Sequence, residues 1–160
     1  MEIFMLFETF IAPTSIITQL SSTTQQEVLA ELIDEAVRLG LIQNGMRKGV
    51  LSALVERESI STTGIGKGIA IPHAKYQGIN NVVGLLARSR TGVNFNALDG
   101  ADVHLFFLIL SDQNDVSQHL EALSYVSKRL RNEMFRRFLV RARDAHEIYE
   151  LLLEEDKKQG

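Results

Sequence analysis

Three glycines and a histidine lie close together in the stretch TGIGKGIAIPHAK, residues 63–75. Glycine-rich turns expose backbone N–H groups that can line an anion site. We expect such a phosphate-binding loop at Thr63, Gly64, Gly66 and Gly68. A histidine on the stiff backbone after a proline can act as a nucleophile toward phosphorus when one ring nitrogen is free and a hydrogen bond holds the other. The stretch therefore predicts a phosphoryl group on His73, with a tight turn that needs positive φ and a structural histidine as the alternatives.

The spacing of these glycines fits neither common nucleotide loop. A dinucleotide-binding loop reads G-x-G-x-x-G before a long helix, whereas residues 64–68 read G-x-G-x-G. A P-loop places Ser or Thr after its Gly-Lys pair, whereas Gly68 follows Lys67 here. What remains is a turn whose backbone can bind a simple anion.

Two further residues are candidates to act with His73. Arg57 ends the helix predicted before the loop and can supply positive charge to phosphoryl oxygens. His119 lies within the apolar arc of the helix predicted for DVSQHLEALSYVSKRL, with Asp115 as its N-cap. An inward-facing ring needs a hydrogen-bonding partner, either a phosphohistidine or a core carbonyl.

The remaining histidines and the composition suggest no metal or cofactor. We expect His146 to be exposed on its helix and His104 to reach solvent at the sheet edge. The chain has no cysteine, and its four histidines lack HExxH or similar spacing. We therefore predict neither a zinc site nor a cofactor.

The elements that must position these residues follow from hydrophobic periodicity. We predict a short strand at 16–17, strands at 69–71 and 82–88, and an apolar central strand VHLFFLIL. The predicted helices are QQEVLAELIDEAVRLG, MRKGVLSALVERE and others that begin near Val116, Asn132 and Ala145. Residues 59–68 read as a loop. The fold class is α/β, a single domain over residues 1–160 with a small mixed sheet and helices on both of its faces.

The charge distribution and the composition of the N-terminal segment limit the classes of protein to which the chain can belong. The net charge is −3, but residues 128–143 carry seven basic residues against one acid. This segment could meet nucleic acid or an acidic protein surface, although a solvated helical face is the favoured reading. The opening MEIFMLFETFIAP has no basic n-region and is too short to span a bilayer. We read it as a packed segment of a cytoplasmic protein.

These residues resemble a known family. STTGIGKGIAIPHAK, VERE before it, NALDGADVHLFFLIL and HLEALSYVSKRL with its continuation are similar to the IIA components of the bacterial phosphoenolpyruvate-dependent phosphotransferase system. The similarity is to the fructose/mannitol type, EIIA type 2, and within it most to the nitrogen-regulatory IIA proteins. It extends from about Ile16 to Leu153.

The resemblance implies a role for each candidate residue. His73 would be the phosphoryl acceptor and form a tele-phosphohistidine. Arg57 would neutralise phosphate charge, and His119 would stabilise the phosphoryl group. The implied donor is the phosphocarrier protein HPr or its nitrogen-branch paralogue. Three positions depart from the family pattern, namely Thr62, Ala74 and His104.

The expected function is therefore that of a regulatory phosphoryl carrier, with neither nucleic acid nor a membrane as its partner. A sugar-specific IIA component that passes phosphate to a IIB domain is the first alternative. The sequence ends without a IIB segment or its thiol acceptor, which favours the regulatory role and its target proteins. A binding module without phosphotransfer is the alternative from another class.

Overall fold

The structure, a computed structural model, describes residues 5–158. Its α-helices are α1 (Phe7–Phe10), α2 (Gln25–Arg38), α3 (Arg47–Ile60), α4 (Val116–Arg129), α5 (Glu133–Arg141) and α6 (Ala145–Asp156). Its strands are β1 (Ile16–Ile17), β2 (Gly64–Gly66), β3 (Ile69–Ala70), β4 (His73–Lys75), β5 (Val83–Val93) and β6 (Val103–Ser111). A 3₁₀ turn, Asn44–Met46, leads into α3.

All six strands form one mixed sheet in the order β1-β5-β6-β3-β2, and β4 continues the β3 side along β6. β5 and β6 are antiparallel, whereas β3 and β4 both run parallel to β6. The apolar run of β6 is thus paired on both edges, which confirms the prediction of a central strand. Within residues 5–158, no helix has the length and apolar character needed to cross a membrane.

The side chains of β6 divide the core into two layers. Phe106 and Leu108 pack with α2 and α3, while Phe107 and Ile109 pack with α1, α4, α5 and α6. This alternation follows from the two-residue period of a strand. Helices therefore cover both faces of a mixed sheet, as predicted.

Side-chain caps fix where the helices begin. Asp115 accepts a hydrogen bond from the Gln118 N–H, which confirms the predicted N-cap of α4. Asn132 and Asp144 cap α5 and α6 in the same way. The cap at Asp115 fixes the start of α4, four residues before His119.

A glycine inside α3 allows this helix to approach the strand that carries His73. A Cβ atom on Gly49 would lie 2.1 Å from the hydroxyl oxygen of Tyr76, the residue that follows β4. The helical propensity lost at Gly49 is therefore the cost of close packing between α3 and β4. Arg57 and His73 lie on these two packed elements.

The N-terminal segment is packed, as expected, over its described part. Phe7 and Phe10 are buried, and the Asp156 carboxylate accepts hydrogen bonds from the N–H groups of Phe7 and Glu8. The first four residues of the predicted segment lie outside the described residues.

Two predicted boundaries are wrong. Residues 59–68 are not all loop, because α3 continues to Ile60 and Gly64–Gly66 forms β2. β5 runs to Val93 and not to Arg88. The strand extends because its pairing with β6 resumes at Val93, opposite Val103, after a register shift that follows Arg88. Arg88 itself is buried, and its guanidinium donates to the carbonyl oxygens of Thr18, Leu139, Val140 and Ala142.

Candidate active site

Arg57, His73 and His119 converge at one shallow cavity of about 590 Å³. Arg57 comes from the last turn of α3, His73 opens β4, and His119 lies in the first turns of α4. The other lining residues are Ala53, Glu56, Ile60, Ala74, Lys75, Gln113, Leu120 and Leu123. Three elements that are far apart in sequence thus bring the predicted basic and imidazole groups to one surface.

The backbone fixes the tautomer of His73. Its Nδ1 lies 2.8 Å from the carbonyl oxygen of Ile71. Because a carbonyl oxygen only accepts, Nδ1 carries the proton and donates. The Nε2 atom of the neutral ring therefore holds the free lone pair, as a nucleophile requires.

Arg57 faces this lone pair directly. Its Nε donates to His73 Nε2 at 3.2 Å, and its Nη1 donates to the Ser61 carbonyl oxygen at 2.9 Å. The second bond ties the guanidinium to the end of its own helix. A cation is thereby held beside the reactive nitrogen.

The surroundings keep His73 neutral. Burial lowers the pKa of His73, and the positive charges of Arg57 and Lys75 lower it further, against the opposing effect of the hydrogen bond to Ile71. Lys75 lies two residues along the same strand and so on the same face. The imidazole is consequently available as a base or nucleophile at neutral pH.

His119 is the second ring of the site. Its centroid lies 5.4 Å from that of His73, and its side chain is buried. Burial lowers the pKa of His119 to about 4, with further lowering from the charge of Lys75 and from His73 whenever that ring is protonated, although Asp115 acts in the opposite direction. The His119 ring is therefore neutral in the physiological range and can present an N–H to an anion.

Ser111 is the hydrogen-bonding partner of His119. The buried hydroxyl of Ser111, at the end of β6, is hydrogen-bonded to His119 Nδ1. The sequence reasoning missed Ser111 and Lys75. The available signals were a hydroxyl directly after an apolar strand and a lysine two residues beyond the histidine.

The first part of the predicted phosphate loop is held by other groups of the chain. The Glu58 carboxylate accepts from both the N–H and the hydroxyl of Thr63, each at 2.6 Å. The Gly64 N–H donates to the Thr62 hydroxyl at 3.0 Å. These contacts connect the end of α3 to the sheet, so Glu58 anchors the loop that follows Arg57. Glu58 is another residue that the sequence reasoning did not single out.

The glycines at the tip of the loop do not reach His73. Lys67 and Gly68 both have positive φ and form a two-residue hairpin turn between β2 and β3. The Gly68 carbonyl oxygen accepts from the His104 N–H, whereas His73 pairs with Ile109. His104 and Ile109 are five residues apart, so at about 3.3 Å per residue these points are roughly 17 Å apart along β6. The alternative of a tight turn thus describes Gly66 and Gly68. The structure does not bring these glycines close to the side chains of Arg57, His73 and His119.

The other histidines lie outside this cavity. His146 is exposed as predicted, with 84% of its side chain accessible. His104 is half-buried, and its Nδ1 lies 2.9 Å from the Ser89 carbonyl oxygen. Its partial exposure, near the start of the central strand, agrees with the prediction that its ring reaches solvent there.

Comparisons with known proteins show the family and the fold. Residues 9–155 match the model of the family described as "Phosphoenolpyruvate-dependent sugar phosphotransferase system, EIIA 2". A nitrogen regulatory protein of Bradyrhizobium diazoefficiens is 34% identical over 142 residues, which cover 89% of this chain and 91% of that protein. A fructose-specific EIIA component of Haloferax volcanii is 36% identical over 131 residues, covering 82% and 84%. The crystal structure of the nitrogen regulatory protein IIA-Ntr of Neisseria meningitidis superposes with a TM-score of 0.81 at 27% identity, covering 90% of this chain and 97% of that one.

Proposed function

Because the chain belongs to the EIIA 2 family of the phosphoenolpyruvate-dependent phosphotransferase system, we propose that it carries a phosphoryl group on Nε2 of His73. The donor in this proposal is phosphohistidine on an HPr-type carrier protein. The observation that carries the proposal is the unprotonated Nε2 of His73, which accepts a hydrogen bond from Arg57 and lies beside the His119 ring.

The transfer step follows from the tautomer of His73. The Nε2 lone pair attacks phosphorus in line, the P–N bond of the donor breaks, and its electrons return to the donor imidazole. The Nδ1 proton stays on His73, where the Ile71 carbonyl oxygen stabilises the positive charge that develops on the ring. The product is a phosphoramidate at Nε2, the tele nitrogen.

Arg57 and His119 act on the phosphoryl oxygens. The Arg57 guanidinium leaves the Nε2 lone pair when phosphorus approaches and donates its N–H groups to the equatorial oxygens. A neutral His119 donates one ring N–H to the same group. Both interactions strengthen as charge develops on the oxygens, so they stabilise the transition state and the phosphorylated product.

The rim of the cavity suits a protein donor. Ile60 and Leu120 line it and are 75% and 58% exposed. Large apolar side chains that remain in water are typical of a protein–protein contact surface. Lys75 adds positive charge on the same side. This combination fits docking of a carrier protein that presents an exposed phosphohistidine.

We further propose a regulatory role, in which the phosphorylation state of His73 alters binding to target proteins. The similarity to nitrogen regulatory proteins over nearly their whole length supports this role. The fructose-specific relative supports the second candidate, a sugar IIA component that passes phosphate to a IIB domain. Incubating the phosphorylated chain with IIB domains of fructose type separates the two, because only the second candidate loses its phosphate rapidly to them.

An intact-mass measurement tests the proposal. After incubation with phosphoenolpyruvate, enzyme I and HPr, the chain should gain about 80 Da, one phosphoryl group. His73→Ala should gain none, while the control His146→Ala, which changes an exposed histidine, should gain as much as the wild type. A wild-type chain that stays at its original mass would support a binding module without phosphotransfer.

A further inference from the structure

A second cavity, of about 410 Å³, lies where the β2–β3 turn meets α5. It is lined by Lys67, Gly68, His104, Leu105, Glu133, Arg136, Arg137, Val140 and Arg141. His104 and Leu105 open β6, whereas Ile109, the partner of His73, lies towards its other end. The cavity is therefore separate from the site proposed for phosphoryl transfer.

The charge of this lining is strongly one-sided. Four cationic side chains, Lys67, Arg136, Arg137 and Arg141, meet a single carboxylate, Glu133, although the whole chain has a net charge of −3. The hairpin supplies Lys67, so the fold adds a cation from a distant segment to the basic run of α5. If the basic residues of α5 formed only a solvated helical face, we would not expect a lysine from a distant hairpin beside them.

Two of the lining groups are held in place by the backbone. Arg136 Nη1 donates to the carbonyl oxygens of Leu130 and Arg131 at 2.7 and 3.0 Å, which fixes the plane of its guanidinium. His104 donates from Nδ1 to the Ser89 carbonyl oxygen at 2.9 Å. A Cβ atom on Gly92 would lie 3.0 Å from Cε1 of the His104 ring, so a glycine there leaves room for it.

The floor of the cavity is apolar and its rim is cationic. Leu105 is buried in the sheet, and Val140 is half-buried on α5 between the arginines. A cavity of this size falls in the range of small-molecule sites. Planar guanidinium groups pair with phosphate oxygens in a two-pronged geometry, and several cations around one cavity match a ligand of several negative charges.

We propose that this cavity binds a small molecule that bears two or more phosphate groups. Such a ligand would place its phosphates against Lys67, Arg137 and Arg141 and its less polar part over Leu105 and Val140. The site would report the level of a phosphorylated metabolite at a surface distinct from the phosphorylation site.

Titration of the ¹⁵N-labelled chain with pyrophosphate and with ATP tests this proposal, at about 0.15 M salt to screen weak surface attraction. We expect saturable shifts of the Gly68, His104 and Leu105 amides and unchanged amides at His73 and His119. Adenosine, which lacks phosphate, should not produce them. Phosphoryl transfer to His73 need not occur in this experiment, so the two proposals can fail independently.

Charge-matched variants sharpen the result. Arg137→Gln with Arg141→Gln should weaken binding by roughly tenfold or more, and Arg137→Gln alone should weaken it less. Lys128→Gln removes the same charge from an exposed position outside the cavity and should bind as the wild type does. Amide spectra without ligand check that each variant is folded.

Three outcomes would overturn the proposal. The first is the absence of saturation with either probe. The second is a set of shifts centred on His73 and His119, which would assign the anion to the phosphoryl-transfer site. The third is tight binding of an acidic peptide such as hexaglutamate at this cavity, with no binding of pyrophosphate or ATP, which would make the ligand a protein segment.

Discussion

The Nε atom of Arg57 lies 3.2 Å from Nε2 of His73, the nitrogen whose partner Nδ1 is already committed to the Ile71 carbonyl oxygen. The guanidinium therefore occupies the lone pair that attacks phosphorus in the proposed transfer. In that proposal Arg57 takes two positions, on the ring of unphosphorylated His73 and on the phosphoryl oxygens. A planar group with several N–H donors suits both positions better than an ammonium group.

We expect Arg57→Lys to slow phosphorylation of His73 by a factor of about 10 to 100, corresponding to ~1.4–2.7 kcal/mol at the transition state. Lysine keeps the charge but cannot bind two oxygens in a fork. Rapid-quench measurement of transfer from phosphorylated HPr gives the rate. Arg47→Lys, at the other end of α3, is the matched control and should transfer at the wild-type rate. If the two variants are equally fast, Arg57 is a surface residue of its helix.

His119 should support transfer without accepting the phosphoryl group itself. Replacement by Ala removes the N–H that faces the phosphoryl group, so phosphorylation of His73 or release of its phosphate should become slower. His119→Gln keeps a donor and should recover part of the rate. A time course with peptide mapping of the modified residue measures both effects. Unchanged kinetics in His119→Ala would leave it as a core histidine.

The buried neutral state of His119 predicts how stability depends on pH. In the unfolded chain this ring binds a proton below its ordinary pKa of 6.5, whereas in the fold the pKa is about 4. The unfolded state therefore binds more protons in this interval, and the free energy of unfolding falls as pH drops from 6.5 to 4, by up to about 3 kcal/mol from this group.

Urea unfolding at pH 7.0 and near pH 4.5 measures the contribution of His119 to the pH dependence of the free energy of unfolding. His119→Gln cannot titrate, so its loss of stability between the two values should be smaller than that of the wild type by roughly 2 kcal/mol. All other titrating groups contribute alike to both proteins to a first approximation. Equal losses in both proteins would mean that the His119 ring is charged in the folded state or open to water.

Ser111 should set the tautomer of His119. If its hydroxyl donates to Nδ1, then Nε2 carries the proton that phosphate needs. We expect ¹⁵N shifts of His119 to show a proton on Nε2 in the wild type and a mixture of tautomers in Ser111→Ala, together with slower transfer to His73. Ser124→Ala, at an exposed position of α4, serves as the control. A Ser111→Ala spectrum with the wild-type tautomer would reduce Ser111 to a packing residue.

Features that depend on local hydrophobic periodicity could be predicted from the sequence. The helices α2, α4 and α6 and the buried strand β6 each repeat an apolar pattern over many residues, and the structure agrees with them. His119 was assigned to the inward face of α4 on the same basis. Arg57 and His119 were predicted as candidates to act with His73 from residue type and helix position, and the family resemblance added their roles, because no local pattern relates a helix end to a strand three residues long.

The features of the site that could not be predicted from the sequence depend on strand register. Gly66 and Gly68 are close to His73 along the chain, but β3 pairs with the start of β6 and β4 with its end. Gly66 is only seven residues from His73 in sequence, but the turn that contains it lies about half the length of β6 away from His73. Ser111 was missed for a related reason, since its contact with His119 joins the end of a strand to the next helix across a turn.

Phosphorylation of His73 at Nε2 is tested most directly by identifying the ring nitrogen that is bonded to phosphorus. ³¹P and ¹⁵N NMR spectra of the phosphorylated, ¹⁵N-histidine-labelled chain identify which ring nitrogen is bonded to phosphorus. Because Nδ1 of His73 is held by the Ile71 carbonyl oxygen, we expect a single phosphoramidate at Nε2 of His73, which is lost in His73→Ala and kept in His119→Gln. A phosphoryl group on Nδ1 of His73, or on either nitrogen of His119, would contradict it.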